Sequence, residues 1–299
     1  MKSYPEKHRP RRFQSTIAAS TTVNGFGLWS GKDVRVEIQP AAANTGVVFV
    51  RQDLGETASI PGLVEFRIES PRRTALRRGG ATVEMVEHVM AALAAMQIDN
   101  CLLRCDAAEM PGFDGSSQAW IAALQAAGRQ ELDEPRNVLV VTERIRVGND
   151  ESWIEAVPSP EGQFSSRVRI DYGYDSPVGR QTYELEITPE SFCQELANAR
   201  TFILKEEADW LVSQGLCQRV KPSDVLVFSD EGPIDNELRF SNECVRHKML
   251  DIVGDLALAG CDLKGHFIGH CSGHRLNAEL VRTLLSEFSV VGPSRLLSA

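Results

Sequence analysis

His247 and Asp251 stand four residues apart in VRHKMLDIVGDLALAG (245–260), so on a helix they project from one face, one turn apart. That spacing suits two ligands for a single ion. It differs from the metalloprotease pattern H-E-x-x-H, because a carboxylate takes the place of the second imidazole and a general base has to come from elsewhere. Taken alone, such a pair is more often an exposed hydrogen-bonded couple. Here Val245, Met249, Leu250, Ile252, Val253 and Leu256 surround it, so the helix is largely buried and its polar residues need partners. Lys248, Asp251 and Asp255 are too many charges to bury without purpose.

A second candidate is Glu87-His88 within the apolar run EMVEHVMAAL (84–93). Neighbours on a helix diverge by about 100°, so one residue could ligate while the other flanks the ion. The bland alternative is a capping or solvent-facing pair near a helix start. His274 follows a glycine in SGHRLN (272–277) and introduces the last helical run, where its ordinary role would be a local hydrogen bond. With Thr201 of ARTF (199–202), these segments provide imidazoles, carboxylates, an ammonium and a hydroxyl, the groups a hydrolase uses.

The elements that must position these groups are legible from periodicity. Residues 13–50 alternate apolar and polar around the breaks NGFG (24–27) and SGK (30–32), a pattern of strands and hairpins. From Ala81 onward Val83, Val86, Met90, Leu93 and Met96 recur every three or four residues, which predicts a helix with a buried face. IDNCLLRCD (98–106) reads as a strand, and EMPGFDGSS (109–117) as a turn-rich loop feeding a helix over 119–127. Strands return at 137–147, 153–158 and 166–174, and helical periodicity at 189–215, 243–259 and 276–287. Strands cluster before helices in each half and the order of elements repeats, so the expectation is an α+β fold of two similar domains, 12–135 and 136–299.

At 299 residues the chain is long enough for about two domains of roughly 150 residues. Its 42% hydrophobic and 24% charged content is that of an ordinary globular protein. A net charge of -9 argues against a nucleic-acid partner, which needs a basic surface. The one dense basic run, HRPRR (8–12), reads as a solvated tail. No segment of about 18 apolar residues and no secretory core is present, so a cytoplasmic protein without an integral membrane segment is expected. Seven cysteines without a C-x-x-C pair give neither a zinc ribbon nor a disulfide framework and read as small buried hydrophobes.

Taken together, GFGLWSGKDV (25–34), PAAANTGVVFVRQDL (40–54), VEHVMAAL (86–93), IDNCLLRCDAAEMPGFDGSS (98–117), ARTF, LRFSNECVRHKMLDIVGDLALAG (238–260) and SGHRLN resemble the UDP-3-O-acyl-N-acetylglucosamine deacetylases, the zinc amidases of lipid A synthesis. The resemblance covers nearly the whole chain. It implies zinc (Zn2+) held by His88, His247 and Asp251, Glu87 as general base, and Lys248 and His274 as stabilisers of developing charge. Thr201 then matches the hydroxyl near the substrate carbonyl and Asp255 the carboxylate that orients the histidine. It also implies an active site between two domains and a UDP-linked acylated amino sugar as partner; a monomer is expected.

Several positions depart from the family pattern. Trp29 stands where histidine is usual, Ile203 where glycine is common, and Ser152 where a basic substrate contact is often found. The loop QRVKPSD (218–224) replaces a Gly-Gly pair, and its Arg219 and Lys221 are candidates for phosphate contact. The segment 69–85 is shorter than its counterpart. Two other readings stay open: a deacetylase of a different N-acetylated amino sugar, and a non-catalytic protein that binds zinc and a sugar nucleotide.

Overall fold

Period-two burial builds the first sheet: Val34, Val36 and Ile38 are buried while Asp33 and Arg35 face solvent. The structure, a computed structural model, describes residues 12–55 and 57–291. In this sheet the strands lie in the order Thr21–Phe26, Asp33–Pro40, Cys101–Cys105, Val47–Arg51, Ser59–Pro61. The second half forms a sheet in the order Ile145–Gly148, Trp153–Val157, Asp262–His270, Phe164–Asp171, Arg180–Glu186. Along both, successive pairings run antiparallel, antiparallel, parallel, antiparallel. The repeated order of elements is therefore a repeated wiring, with the strand that comes last in the chain within each of these two sheets inserted at its centre. Mixed sheets layered with helices make the fold α+β.

The helices are α1 (Glu87–Ala95), α2 (Gln118–Ala127), α3 (Pro189–Glu195), α4 (Lys205–Ser213), α5 (Glu243–Ala257) and α6 (His274–Glu287). In each half one helix directly precedes the central strand and one follows it, α1 and α2 in the first, α5 and α6 in the second. Buried apolar residues of both halves form one continuous cluster, within which α1 packs against α5. Gly254 makes that crossing close: a Cβ there would lie 2.0 Å from the Glu87 carbonyl oxygen.

Three elements differ from expectation. Residues Ala81–Glu84 are a strand, paired with Ala75–Arg78 through a hairpin at Gly79-Gly80, where Gly79 has φ 57°. Val83 therefore belongs to that strand, and the helix starts only at Glu87, after Met85 turns the chain at φ 57°. The run 189–215 is not one helix either: Thr188 and Ser191 form a capping box that starts α3, and the strand Phe202–Leu204 separates it from α4. The expected strand 137–147 is two, Val138–Val140 and Ile145–Gly148.

Residues 8–11 of the basic run lie outside the described residues. Arg12 itself is no solvated tail. Its guanidinium bonds Asp99 at 2.6 Å in the first half and Asp262 at 2.6 Å in the second. Four cysteines, Cys101, Cys105, Cys244 and Cys261, are buried as expected, while Cys193, Cys217 and Cys271 are half-buried; none of the seven is in a disulfide among the described residues. Among the described residues no helix is long and apolar enough to cross a membrane.

Candidate active site

The close crossing of α1 and α5 puts His88 beside His247 and Asp251. Their ligand atoms all lie within 4.8 Å of one another and all three residues are buried. The Asp251 Oδ1 atom is 3.4 Å from His247 Nε2 and 3.7 Å from His88 Nε2, and the two imidazoles meet edge to face at 5.2 Å. His247 Nδ1 is 3.1 Å from the Ala199 carbonyl, so Nδ1–H donates there and the Nε2 lone pair points into the cluster. Arg200 fixes that carbonyl's segment: it is buried on Glu243 of α5 at 2.7 Å.

Electrostatics prepare the three groups for a cation. Burial, reinforced by His247, pushes His88 down to about 3, and burial also lowers His247, so both imidazoles are neutral near pH 7. Burial alone would raise Asp251, but His247, Lys248, His274 and His88 outweigh it and hold the carboxyl well below its usual range. Asp251 Oδ2 accepts from Lys248 Nζ at 2.8 Å, whereas the buried Oδ1 has no hydrogen-bond partner among the described residues. A buried anionic oxygen without a donor, facing two neutral imidazole nitrogens, fits a zinc ion with a fourth position open. A structural zinc site would need a fourth side chain, and the cluster among the described residues has three.

The other expected residues gather around it. Glu87, next to His88 on α1, is raised to about 7 by burial first, with Asp251 and Asp255 adding to the shift. Its Oε2 accepts from the backbone N–H of Thr74 at 2.9 Å. Across the site His274 Nδ1 meets Asp255 Oδ2 at 2.8 Å, and Asn277 Nδ2 donates to the same oxygen at 2.8 Å. Burial would lower His274, yet the Asp255 carboxylate prevails and lifts it to about 9. Lys248 is likewise lowered by burial but raised overall by Asp251. Thr201 Oγ1 stands 3.1 Å from His247 Nε2 and 3.1 Å from the Gly115 carbonyl.

These groups open on a cleft of about 770 Å³ whose walls include Trp29, Ser152, Ile203 and Lys221. Trp29 is held by Glu109, which accepts from its N–H at 2.8 Å, and Arg73 lies 4.4 Å over its ring. Ser152 donates to the Cys271 carbonyl at 2.8 Å. Arg219 does not line the cleft: it bonds Asp33 and the Gly31 carbonyl, both at 2.7 Å, and stacks on Phe26. Of the two cations in the loop, only Lys221 remains placed for an anion.

Sequence reading missed Thr74 and Asn277. Asn277 follows His274 by three residues on one helix face, a spacing that could have flagged it. Thr74 carries no such signal, because only the fold brings it to Glu87 and Asp255.

Two crossing helices that bury two imidazoles and a carboxylate at the floor of a cleft define a class of α+β protein with a candidate catalytic metal centre. The chain belongs to the UDP-3-O-acyl N-acetylglycosamine deacetylase family, whose profile matches residues 14–286. A relative from Thermosynechococcus vestitus, named UDP-3-O-acyl-N-acetylglucosamine deacetylase, is 38% identical over 92% of this chain and 94% of its own length. Relatives of the same name from Actinobacillus succinogenes and Solibacter usitatus are 36% and 35% identical, over 92% and 93% of this chain and 90% and 93% of theirs. Membership makes this chain part of a deacetylase enzyme family.

Proposed function

We propose that this protein hydrolyses the N-acetyl group of UDP-3-O-(3-hydroxyacyl)-N-acetylglucosamine, a zinc-dependent step of lipid A biosynthesis that releases acetate and the free amine. The observation that carries this reading is the unpartnered, buried Asp251 Oδ1 between His88 and His247, beside Glu87. His88 and His247 through Nε2, and Asp251 through Oδ1, would hold the zinc. When bound, that ion supplies a Lewis acid for the acetamide carbonyl and lowers the pKa of water.

The chain's own groups divide the remaining work. Glu87 takes the proton of the attacking water at Oε1, since Oε2 is held by the Thr74 N–H. The Thr201 hydroxyl and the Lys248 ammonium donate to the oxyanion that develops on the carbonyl oxygen. Asp255 keeps the proton on His274 Nδ1, so Nε2 delivers its proton to the leaving nitrogen. Leu204, Leu211, Val212, Val225 and Val227 line one part of the cleft and suit an acyl chain. Action as a monomer in the cytoplasm completes the reading.

The test is acetate release from the 3-O-acylated sugar nucleotide and from unacylated UDP-N-acetylglucosamine, after chelation and after zinc is restored. Zinc-restored release from the acylated substrate alone is expected. Release only from the unacylated sugar would move the assignment to another N-acetylated amino sugar. A folded, zinc-loaded protein inactive on both would be a binding protein instead.

A further inference from the structure

Thr74 is fully buried, and each of its three polar groups is engaged. Its N–H donates to Glu87 Oε2 at 2.9 Å, its carbonyl accepts from the Val86 N–H at 3.3 Å, and its hydroxyl donates to Asp255 Oδ1 at 2.5 Å. The hydroxyl thus reaches a carboxylate 181 residues away in the chain. That same carboxylate holds His274 and Asn277 through its other oxygen. One residue of the first half therefore touches both Glu87 and the carboxylate that holds His274. We propose that Thr74 is a positioning residue that locks Glu87 and the Asp255–His274 pair into a single geometry. The inference rests on the deacetylase reading, in which Glu87 and His274 act as base and acid.

The physical reason lies in Asp255, which is itself buried and needs a donor on each oxygen. With Oδ1 tethered by Thr74, the carboxylate plane is fixed and Oδ2 is aimed at His274 Nδ1. This orients His274 Nε2 towards the cleft. Without the hydroxyl, Oδ1 is left without its 2.5 Å donor, and the carboxylate gains a rotational freedom that it passes to the imidazole. The backbone bond to Glu87 survives any side-chain change that keeps the local fold, so substitutions at Thr74 isolate the acid side.

The experiment compares zinc-loaded wild type, Thr74→Val, Thr74→Ser, His274→Gln and the double variant Thr74→Val/His274→Gln. Valine is isosteric but has no hydroxyl; serine keeps it. Loss of a hydrogen bond to a charged group predicts a kcat for Thr74→Val about 10- to 100-fold lower, with KM and zinc content unchanged. Thr74→Ser should stay within about three-fold of wild type, and on the His274→Gln background the valine should cost less than about three-fold, because the hydroxyl acts through that imidazole. A residue that merely supports the fold would give equal losses on both backgrounds, and that result, or a Thr74→Val enzyme as fast as wild type, overturns the proposal. The downfield Nδ1–H resonance of His274 gives a readout free of turnover: it should persist in Thr74→Ser and shift or broaden in Thr74→Val. A wild type that releases no acetate sinks the deacetylase reading, while an unmoved resonance in Thr74→Val sinks the role of Thr74.

Discussion

Among the described residues Asp251 engages one of its carboxylate oxygens: Oδ2 accepts from Lys248, while Oδ1 stays buried without a donor. Leaving such an oxygen unmet costs about 1–3 kcal/mol, a cost that a cation bound by the two imidazoles would offset. The roles of the neighbours then separate. His247→Ala removes a donor and should abolish stoichiometric zinc; Glu87→Ala leaves all three donors and should keep zinc while kcat falls by about 100-fold or more, the scale of a lost general base. Metal analysis beside acetate release checks both, and a Glu87→Ala enzyme with full turnover would remove Glu87 from the chemistry. The pH dependence follows from the same pair. Glu87, raised to about 7, serves as base only once deprotonated, so kcat/KM climbs as pH rises through that region. His274, raised to about 9, serves as acid only while protonated, so activity falls as pH rises through its value. A bound dication lowers both values, moving the bell towards acid, and its limbs report the coupled pair. His274→Gln should erase the alkaline limb, and an unchanged profile counts against the acid assignment.

Helix α5 carries His247, Lys248, Asp251 and Asp255, half of the expected site residues, and one glycine sets its distance from α1. Replacing Gly254 by alanine would add helix propensity worth about 1 kcal/mol. The new Cβ, however, would stand 2.0 Å from the Glu87 carbonyl oxygen, a backbone atom that cannot rotate away. Overpacking of this kind costs about 1–3 kcal/mol or more, so the clash wins. Gly254→Ala should lower Tm and weaken zinc binding together, because separating the helices moves His88 away from His247 and Asp251. A variant with higher Tm and full zinc would show that the crossing tolerates the methyl. The same helix shows what the sequence could reveal. An apolar surround at 245–256 marked α5 as buried, and the four-residue step from His247 to Asp251 placed both on one face. The strand at 81–84 was hidden because its inward Val83 falls by chance in helical phase with Val86 and Met90; the Gly79-Gly80 turn was the signal that mattered. Thr74 was illegible for a different reason: its side-chain partner Asp255 lies 181 residues away and is set by tertiary packing, not by any local period.

The two halves share one sheet wiring, yet they do not share it as independent bodies. Nearly every residue of α1 is buried, including Val89, Ala91 and Ala92, and part of that burial comes from α5. The apolar cluster runs unbroken from Ile17 to Leu284. At the junction Arg136 and Arg12 lie between Asp99 of the first half and Asp262 of the second, with Arg136 Nε at 2.9 Å from Asp99. The division into domains 12–135 and 136–299 follows the repeat in topology; from the shared apolar cluster we propose that the two halves unfold as one cooperative unit. Separating the halves would expose the α1–α5 interface, and each Å² of apolar surface returned to water costs about 25 cal/mol against the roughly 5–15 kcal/mol that stabilises a typical fold. Residues 12–135 expressed alone should therefore fail to give a sharp thermal transition, and the whole chain should unfold in a single one. Calorimetry decides: a ratio of calorimetric to van't Hoff enthalpy near one is expected, whereas two resolved transitions, or a folded first half, would mean that the sheets are stable apart and that the crossing helices assemble the site only afterwards.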